Sequence, residues 1–455
     1  MKLNNKGFAI SGVLYSLLIL FVTLFIAILT ILASTKFSLD KVKNDITNKL
    51  EDLIYRDTVL NGADPVLKEG MIPVTISADG TVRKADITKV WYDYDTKVWA
   101  NAITVSQTNR SMYETTEPGT VIPESDILTY FVWIPRYRYK LWYVEATDGY
   151  SDALDTSKVH SIDIVFESRN TAKSNGSTNG TYLTHPAFTF GEEELNGIWV
   201  GKFETGYNGA ATTTEAEIET ADSTKVIIKP NVYSWRKMNI SNMFSTSLNM
   251  NADNNVFGFT KESDTHMMKN TEWGAVVYLA FSDYGKDSNV YINNNSNHLT
   301  GCGGNSSDEA ASSECLNGYG TKSNNIYSQS TTGNISGIFD MSGGASEHVM
   351  GYTIVYGSSG FTTETFPEGK YLNSYTSSNA KQYSNRILGD ATGEMGPFVS
   401  AKSSWYNDYI DFIVSSQPWF KRGGLYNATT NAGIVNGANV SGAKNDENSF
   451  RIVLT

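Results

Sequence analysis

Gly337-Ile338-Phe339-Asp340-Met341-Ser342-Gly343-Gly344-Ala345-Ser346-Glu347, read with the closing Ser449-Phe450-Arg451-Ile452-Val453-Leu454, decides how this chain is interpreted. Asp340, Ser342 and Glu347 supply acceptors for backbone amides, the need of a fold that satisfies few of them in regular ladders. Arg451 opens the last apolar stretch and is expected to pair with a carboxylate such as Glu347 inside the core. Between the two stretches lies Lys421-Arg422-Gly423-Gly424. Its paired glycines permit positive φ or close backbone approach where a strand meets a long loop. Glu347, Arg422, Gly423, Gly424 and Arg451 are therefore read first as scaffold.

Outward from this centre the pattern is one of short strands. Ile72 to Ile76, Ile103 to Ser106, Tyr130 to Ile134 and Ile162 to Phe166 read as strands, separated by Gly, Asn, Asp and Ser clusters. One clear helix is expected near Glu272 to Tyr284, with Trp273, Val276, Val277, Ala280 and Tyr284 as its apolar stripe and Asn270 as N-cap. Stretches 174–180 and 293–330 read as loop, and no internal repeat is visible. The pattern alone supports an irregular, loop-rich α+β domain.

The quoted stretch resembles the Gly-Leu-Tyr-Asp-Met-Ser-Gly-Asn-Val-Trp-Glu-Trp segment of formylglycine-generating-enzyme-like (sulfatase-modifying-factor) domains. Arg422-Gly423-Gly424 and Phe450-Arg451 resemble that family's ending, Thr271-Glu272-Trp273-Gly274-Ala275 its helix, and Gly197 to Glu204 one of its strands. The resemblance implies a C-type-lectin-like fold with a core of about 197–455, completed by the segment from Trp91 to Trp142. It also implies where activity would reside. The family's enzymes hold copper on two cysteines close to the C-terminal motif, and residues 425–448 contain none. A Cu(I) site needs thiolates, so that chemistry is not expected. The five histidines, His160, His185, His266, His298 and His348, show no paired metal-ligand spacing. No catalytic residue, cofactor or metal is assigned, and the chain is read as a non-enzyme. Asp93 with Asp95, or Asp408 with Asp411, would be calcium candidates, but neither fits a calcium-loop pattern.

In C-type-lectin-like displays, including the variable proteins of diversity-generating retroelements, the segment corresponding to Leu425 to Asn439 forms the binding face. Here Tyr426, Asn427, Thr429, Asn431, Asn436 and Asn439 are the candidate ligand-binding residues, suited to a glycan or protein epitope through adaptable hydrogen bonds and one flat ring. Trp405, Tyr406, Tyr409 and Trp419 could add a stacking platform.

The N-terminus is of different material. Residues 8–35 carry no charge, with Lys2 and Lys6 before them. Such a run is long enough to span a bilayer, which needs about 20 helical residues. The charge bias then places the N-terminus in the cytoplasm and the rest outside. Lys6-Gly7-Phe8-Ala9-Ile10 resembles a type IV prepilin signal, which implies cleavage between Gly7 and Phe8 by a prepilin peptidase. Gly12 stands where pilins carry Glu, a departure that weakens filament assembly. Residues 36–56 read as an amphipathic stalk helix and 57–455 as an extracytoplasmic head. Cys302 and Cys315, the chain's two cysteines, are expected to form a disulfide in an oxidising compartment. A net charge of −12 argues against nucleic acid as a partner.

The expectation from sequence is thus a membrane-anchored or pilus-associated surface protein with a ligand-binding head. Its partners would be the bilayer through residues 8–35, a surface ligand and pilus or pseudopilus subunits. The alternatives are a minor pilin with a structural head and a divergent non-copper enzyme.

Overall fold

The structure, a computed structural model, describes residues 17–25, 28, 61–142, 161–321, 326–353, 356–375, 387–392 and 408–455. The chain divides into two compact units, Met1–Thr58 and Val59–Thr455.

The second unit is built on two sheets. The larger is formed by β1 (Ile72–Ile76), β2 (Val82–Lys84), β3 (Asn101–Val105), β4 (Ile127–Pro135), β5 (Gly197–Gly201), β6 (Thr265–Met267) and β12 (Ile452–Leu454), in the order β6-β12-β5-β4-β3-β1-β2 and antiparallel throughout. β4 lies at its centre, and its sequence Ile-Leu-Thr-Tyr-Phe-Val-Trp-Ile-Pro is buried at all positions but Leu128. Strands covered on both faces lose the alternation of a half-exposed strand, which is why this one reads as an almost unbroken apolar run. The smaller sheet joins β7 (Ser346–Thr353), β8 (Asn373–Tyr375), β9 (Trp419–Arg422), β10 (Gly437–Val440) and β11 (Asn448–Phe450). β11 and β12 are separated only by Arg451, so the chain leaves one sheet and enters the other at that residue.

Among the described residues helices are few and short. They include α1 (Gln107–Thr115), α2 (Ile240–Leu248) and α3 (Asn270–Ala280). Every residue of α3 is buried. A helix enclosed on all sides has no polar face to show, so the expected one-sided stripe understates its burial, and the helix ends at Ala280, which leaves the expected Tyr284 beyond it. Its N-cap is Lys269, not Asn270, and the Glu272 carboxylate accepts the Lys269 backbone N–H at 2.7 Å. Asn270 is instead drawn inward, where it donates to Tyr375 and accepts from Arg422. α1 and α2 went unread because their apolar positions are sparse and interrupted by Ser, Thr and Asn.

Three expectations need correcting. The α+β class with a long N-terminal helix gives way to a fold made mostly of strands and loops. No helix among the described residues is long and apolar enough to cross a membrane. The single-pass, N-terminus-inside, extracellular localisation rested on such a helix and is overturned with it. Gly7, Phe8 and the stalk at 36–56 lie outside the described residues.

Candidate functional site

The motif residues from which the sequence reading began converge in the core between the two sheets. Arg451 is fully buried and donates to both oxygens of Glu347, with Nε to Oε2 at 2.9 Å. Its remaining donors reach Gly201 O at 2.8 Å, on the larger sheet, and Phe339 O at 3.0 Å. Glu347 belongs to β7 of the smaller sheet, so one guanidinium ties the two sheets together at the point where the chain passes between them. Asp340 accepts from Asn293, Gln329 and the Gly301 N–H. Glu204 accepts from the Ala345 N–H and from Ser234 Oγ. Burial, and after it the charges of Asp340 and Glu347, push the Glu204 carboxyl well up, so it keeps its proton. Lys202 is equally buried, and its Nζ donates to Asn101 Oδ1, Ile335 O and Gly337 O at 2.7–2.9 Å. The charged groups here are each answered by several partners, while Ser342 Oγ and Gln329 Oε1 are buried without a hydrogen bond.

A second cluster surrounds His266, fully buried between Asp264 and Glu272, with 3.0 Å from each ring nitrogen to a carboxylate oxygen. Burial acts to lower its pKa, but Glu272 and Asp264 prevail and raise it. The ring is thereby held as an imidazolium that locks β6 to α3. The other described histidines, His185, His298 and His348, are buried and lowered to about 3, chiefly by that burial. His348 meets Asn448 at 3.2 Å. No group of three or more His, Cys, Asp or Glu side chains placed to share a metal ion occurs among the described residues.

The third region is open. Residues 423–436 connect β9 to β10 as a long hairpin loop. Gly423 and Gly424 begin it at φ +82° and +78°. A Cβ on Gly424 would come within 2.9 Å of Ala432 Cα, so the loop can fold back against its own start only without one. Of the six residues expected to contact a ligand, Asn427 is exposed, while Tyr426, Thr429, Asn431 and Asn439 are half-buried. Asn436 is buried and donates to Asn431 O, Asn439 sits in β10 and donates to Phe412 O, and the Tyr426 ring packs edge-on against His298. These amides hold the loop's shape. Of the proposed stacking platform, Trp405 and Tyr406 lie outside the described residues, and Trp419 is buried against Tyr352.

A cleft of about 170 Å³ opens instead beside the loop's second half. Its lining combines Phe281, just beyond α3, with Asn289 and Val290, Ser307 and Asp308, Asp408, and Thr430 with Ala432, Gly433 and Ile434. Phe281, Val290, Ala432, Gly433 and Ile434 are buried, whereas Asn289, Asp308 and Thr430 are exposed at the rim. Ser307 and Asp308 come from the loop closed by the Cys302–Cys315 disulfide, whose Cα atoms lie 5.3 Å apart. Asp408 is only 7% exposed. Its Oδ2 accepts the Val435 N–H at 3.0 Å. Burial pushes its carboxyl up to about 8, against the opposing pull of the Val435 N–H and Arg422. Gly433 leaves room for it, since a Cβ there would fall about 2.1 Å from the carboxylate.

None of the six expected residues lines this cleft. Thr430, Ala432, Gly433 and Ile434 of the same loop do, and Asp408 had been weighed only as half of a calcium pair. Phe281, Val290 and Asp308 carried no signal, because only folding brings them beside the loop.

Comparison with known proteins adds little. No family model matches the chain, and no curated protein matches it. Among solved structures, Treponema denticola variable protein 1 aligns at 11% identity over 73% of this chain and 97% of that one, with a TM-score of 0.27. A likeness that low carries no argument about fold or function.

Proposed function

We propose that this chain is a recognition protein that binds its ligand at the cleft beside the 423–436 loop and performs no chemistry on it. One observation carries the reading: buried apolar groups form the cleft's floor, with a buried carboxyl and an exposed polar rim arranged around them. Such a lining fits a pocket that excludes water from part of a ligand and orients the rest by a few polar contacts. The non-enzymatic reading draws support from the cysteines. Both are tied to each other in a disulfide, leaving no thiolate for copper of the kind the resembling enzymes use. The two-sheet core supports it too, because Arg451 and Glu347 pair with each other and Lys202, Asp340 and Glu204 are engaged by amides, backbone groups and a hydroxyl.

The test is binding of the full chain to glycan and protein arrays, beside a triple variant with Asn289→Ala, Asp308→Ala and Thr430→Ala. All three side chains are exposed, so the variant is expected to fold as the parent does. Saturable binding that the variant loses is the expected result. Binding that survives moves the site elsewhere, and a folded chain that binds nothing on either array sinks the reading.

A further inference from the structure

We infer that the cleft takes a lysyl side chain of a protein partner, with its ammonium on Asp408 and its methylene arm along the apolar floor. This deepens the recognition reading and rests on it.

The starting point is a buried carboxyl that forms no ion pair among the described residues. Arg422 is the cation whose charge Asp408 feels. Its donors are already committed to Asn436 O, Asn270 Oδ1, Asp390 O, Ala391 O and Val435 O, at 2.7–3.4 Å. A carboxylate buried without a paired cation is costly, so in the empty cleft at neutral pH the group holds a proton. A ligand that brings a positive charge relieves that cost.

Geometry then selects the kind of cation. Oδ2 is occupied by the Val435 N–H, while Oδ1 has no partner among the described residues. A guanidinium is matched by two free carboxylate oxygens in a fork, but an ammonium is a point charge that needs one. The walls agree with this choice. Phe281, Val290, Ala432 and Ile434 place apolar atoms beside the cleft's polar groups, and the methylene arm of a lysine packs on such surface. Asp308 at the rim can take part in drawing the cation in, and the chain's charge of −12 adds to that attraction. Size argues against a free oligosaccharide. About 170 Å³ lies below the roughly 300–1,000 Å³ of ordinary small-molecule pockets, yet it suffices for one side chain.

The experiment titrates the full chain with Nα-acetyl-lysine methylamide, followed by saturation-transfer NMR. The Nε-acetylated form, the arginine analogue and glucosamine serve as comparison probes. The lysine probe should saturate, and Nε-acetylation should weaken it about tenfold or more. Asp408→Asn should weaken it to a similar degree while keeping an acceptor for the Val435 N–H and a thermal midpoint no lower than the parent's. As a second variant, Thr430→Trp closes the mouth from an exposed position and should abolish binding. Equal binding of the acetylated probe, an unaffected Asp408→Asn protein, or no saturation by the lysine probe overturns the inference. Arginine or glucosamine binding as well as lysine overturns the lysyl assignment. Array binding that the rim variant abolishes but the lysine probe does not compete would leave the recognition reading standing without it. Arrays with no binding at all would remove the recognition reading itself.

Discussion

The core between the sheets and the cleft beside the hairpin loop both bury carboxyl groups, and they treat them in opposite ways. Around Arg451, Glu347 receives both oxygens' worth of guanidinium, and Asp340 and Glu204 are surrounded by amides and a hydroxyl. At the cleft, Asp408 receives one backbone N–H, while the nearest arginine is turned to other acceptors. A fully answered set of charges holds a fold in one arrangement. A carboxyl left partly unanswered at an opening stores a binding preference. The difference separates the scaffold from the site more sharply than residue type does, since both regions are rich in Asp, Asn and Ser.

Breaking the core should have the largest effect. Arg451→Met leaves Glu347 buried without its cation and unties the sheets, and removing one partner of a buried pair costs about 3–5 kcal/mol. Urea denaturation should show a lower midpoint with an unchanged slope, and a loss below about 1 kcal/mol would mean that the pair is not a tie. Next is the disulfide, which closes a loop across residues 302–315 and carries Ser307 and Asp308 to the cleft. Replacing both cysteines with serine should cost about 3 kcal/mol in the chain-entropy model. It should also weaken ligand binding, while the Arg451 network stays intact.

The comparison sharpens with pH. The folded-state pKa of Asp408 lies above its ordinary value, so the folded protein binds an extra proton between about 4 and 8. Stability from this group therefore falls as pH rises through that window, by up to about 1.4 kcal/mol per pH unit. Asp408→Asn should remove that slope, as thermal melts from pH 5 to 8 would reveal. His266 supplies the opposite kind of buried charge, an imidazolium held by two carboxylates. Its folded pKa is raised, so its contribution is full below about 6.5 and is lost as pH climbs through the raised value. His266→Gln should flatten the alkaline side of the profile and leave the acidic side of the Asp408 window unchanged. The smallest effect is expected at the exposed Asn427, where Asn427→Ala should change stability by less than about 0.5 kcal/mol.

Much of the scaffold could be read from residues alone. Four strand positions, the existence of a helix near Trp273 and the segments that would meet at the centre followed from apolar runs, turn residues and the acceptor-rich stretch at 337–347. The candidate site was far less legible. The loop itself stood out, but its contacting residues were chosen by chemical type, and type could not tell an amide facing solvent from one that ties the loop down. Asn436 and Asn439 look like ligand-binding residues in the sequence and serve as braces in the fold. The apolar N-terminal run misled in a different way. Hydropathy reports transfer out of water, and the spanning helix was an added inference.

Composition, patterning and spacing by themselves marked four strands, one helix and the pairing of Arg451 with Glu347, because those properties are local or involve one partner, while the α+β class drawn from them did not hold. A charged group buried in the core needs acceptors, and for Arg451 the sequence offered Glu347, which it meets. Only the tertiary structure decided that Phe281, Asp308, Asp408 and Ile434 share a cleft, since their approach depends on where two sheets, a helix end and a disulfide loop come to rest. It alone decided, too, that Arg422 turns away from Asp408, leaving one carboxylate oxygen open. No local propensity encodes that choice; it results from which acceptors the folded backbone delivers to the guanidinium first.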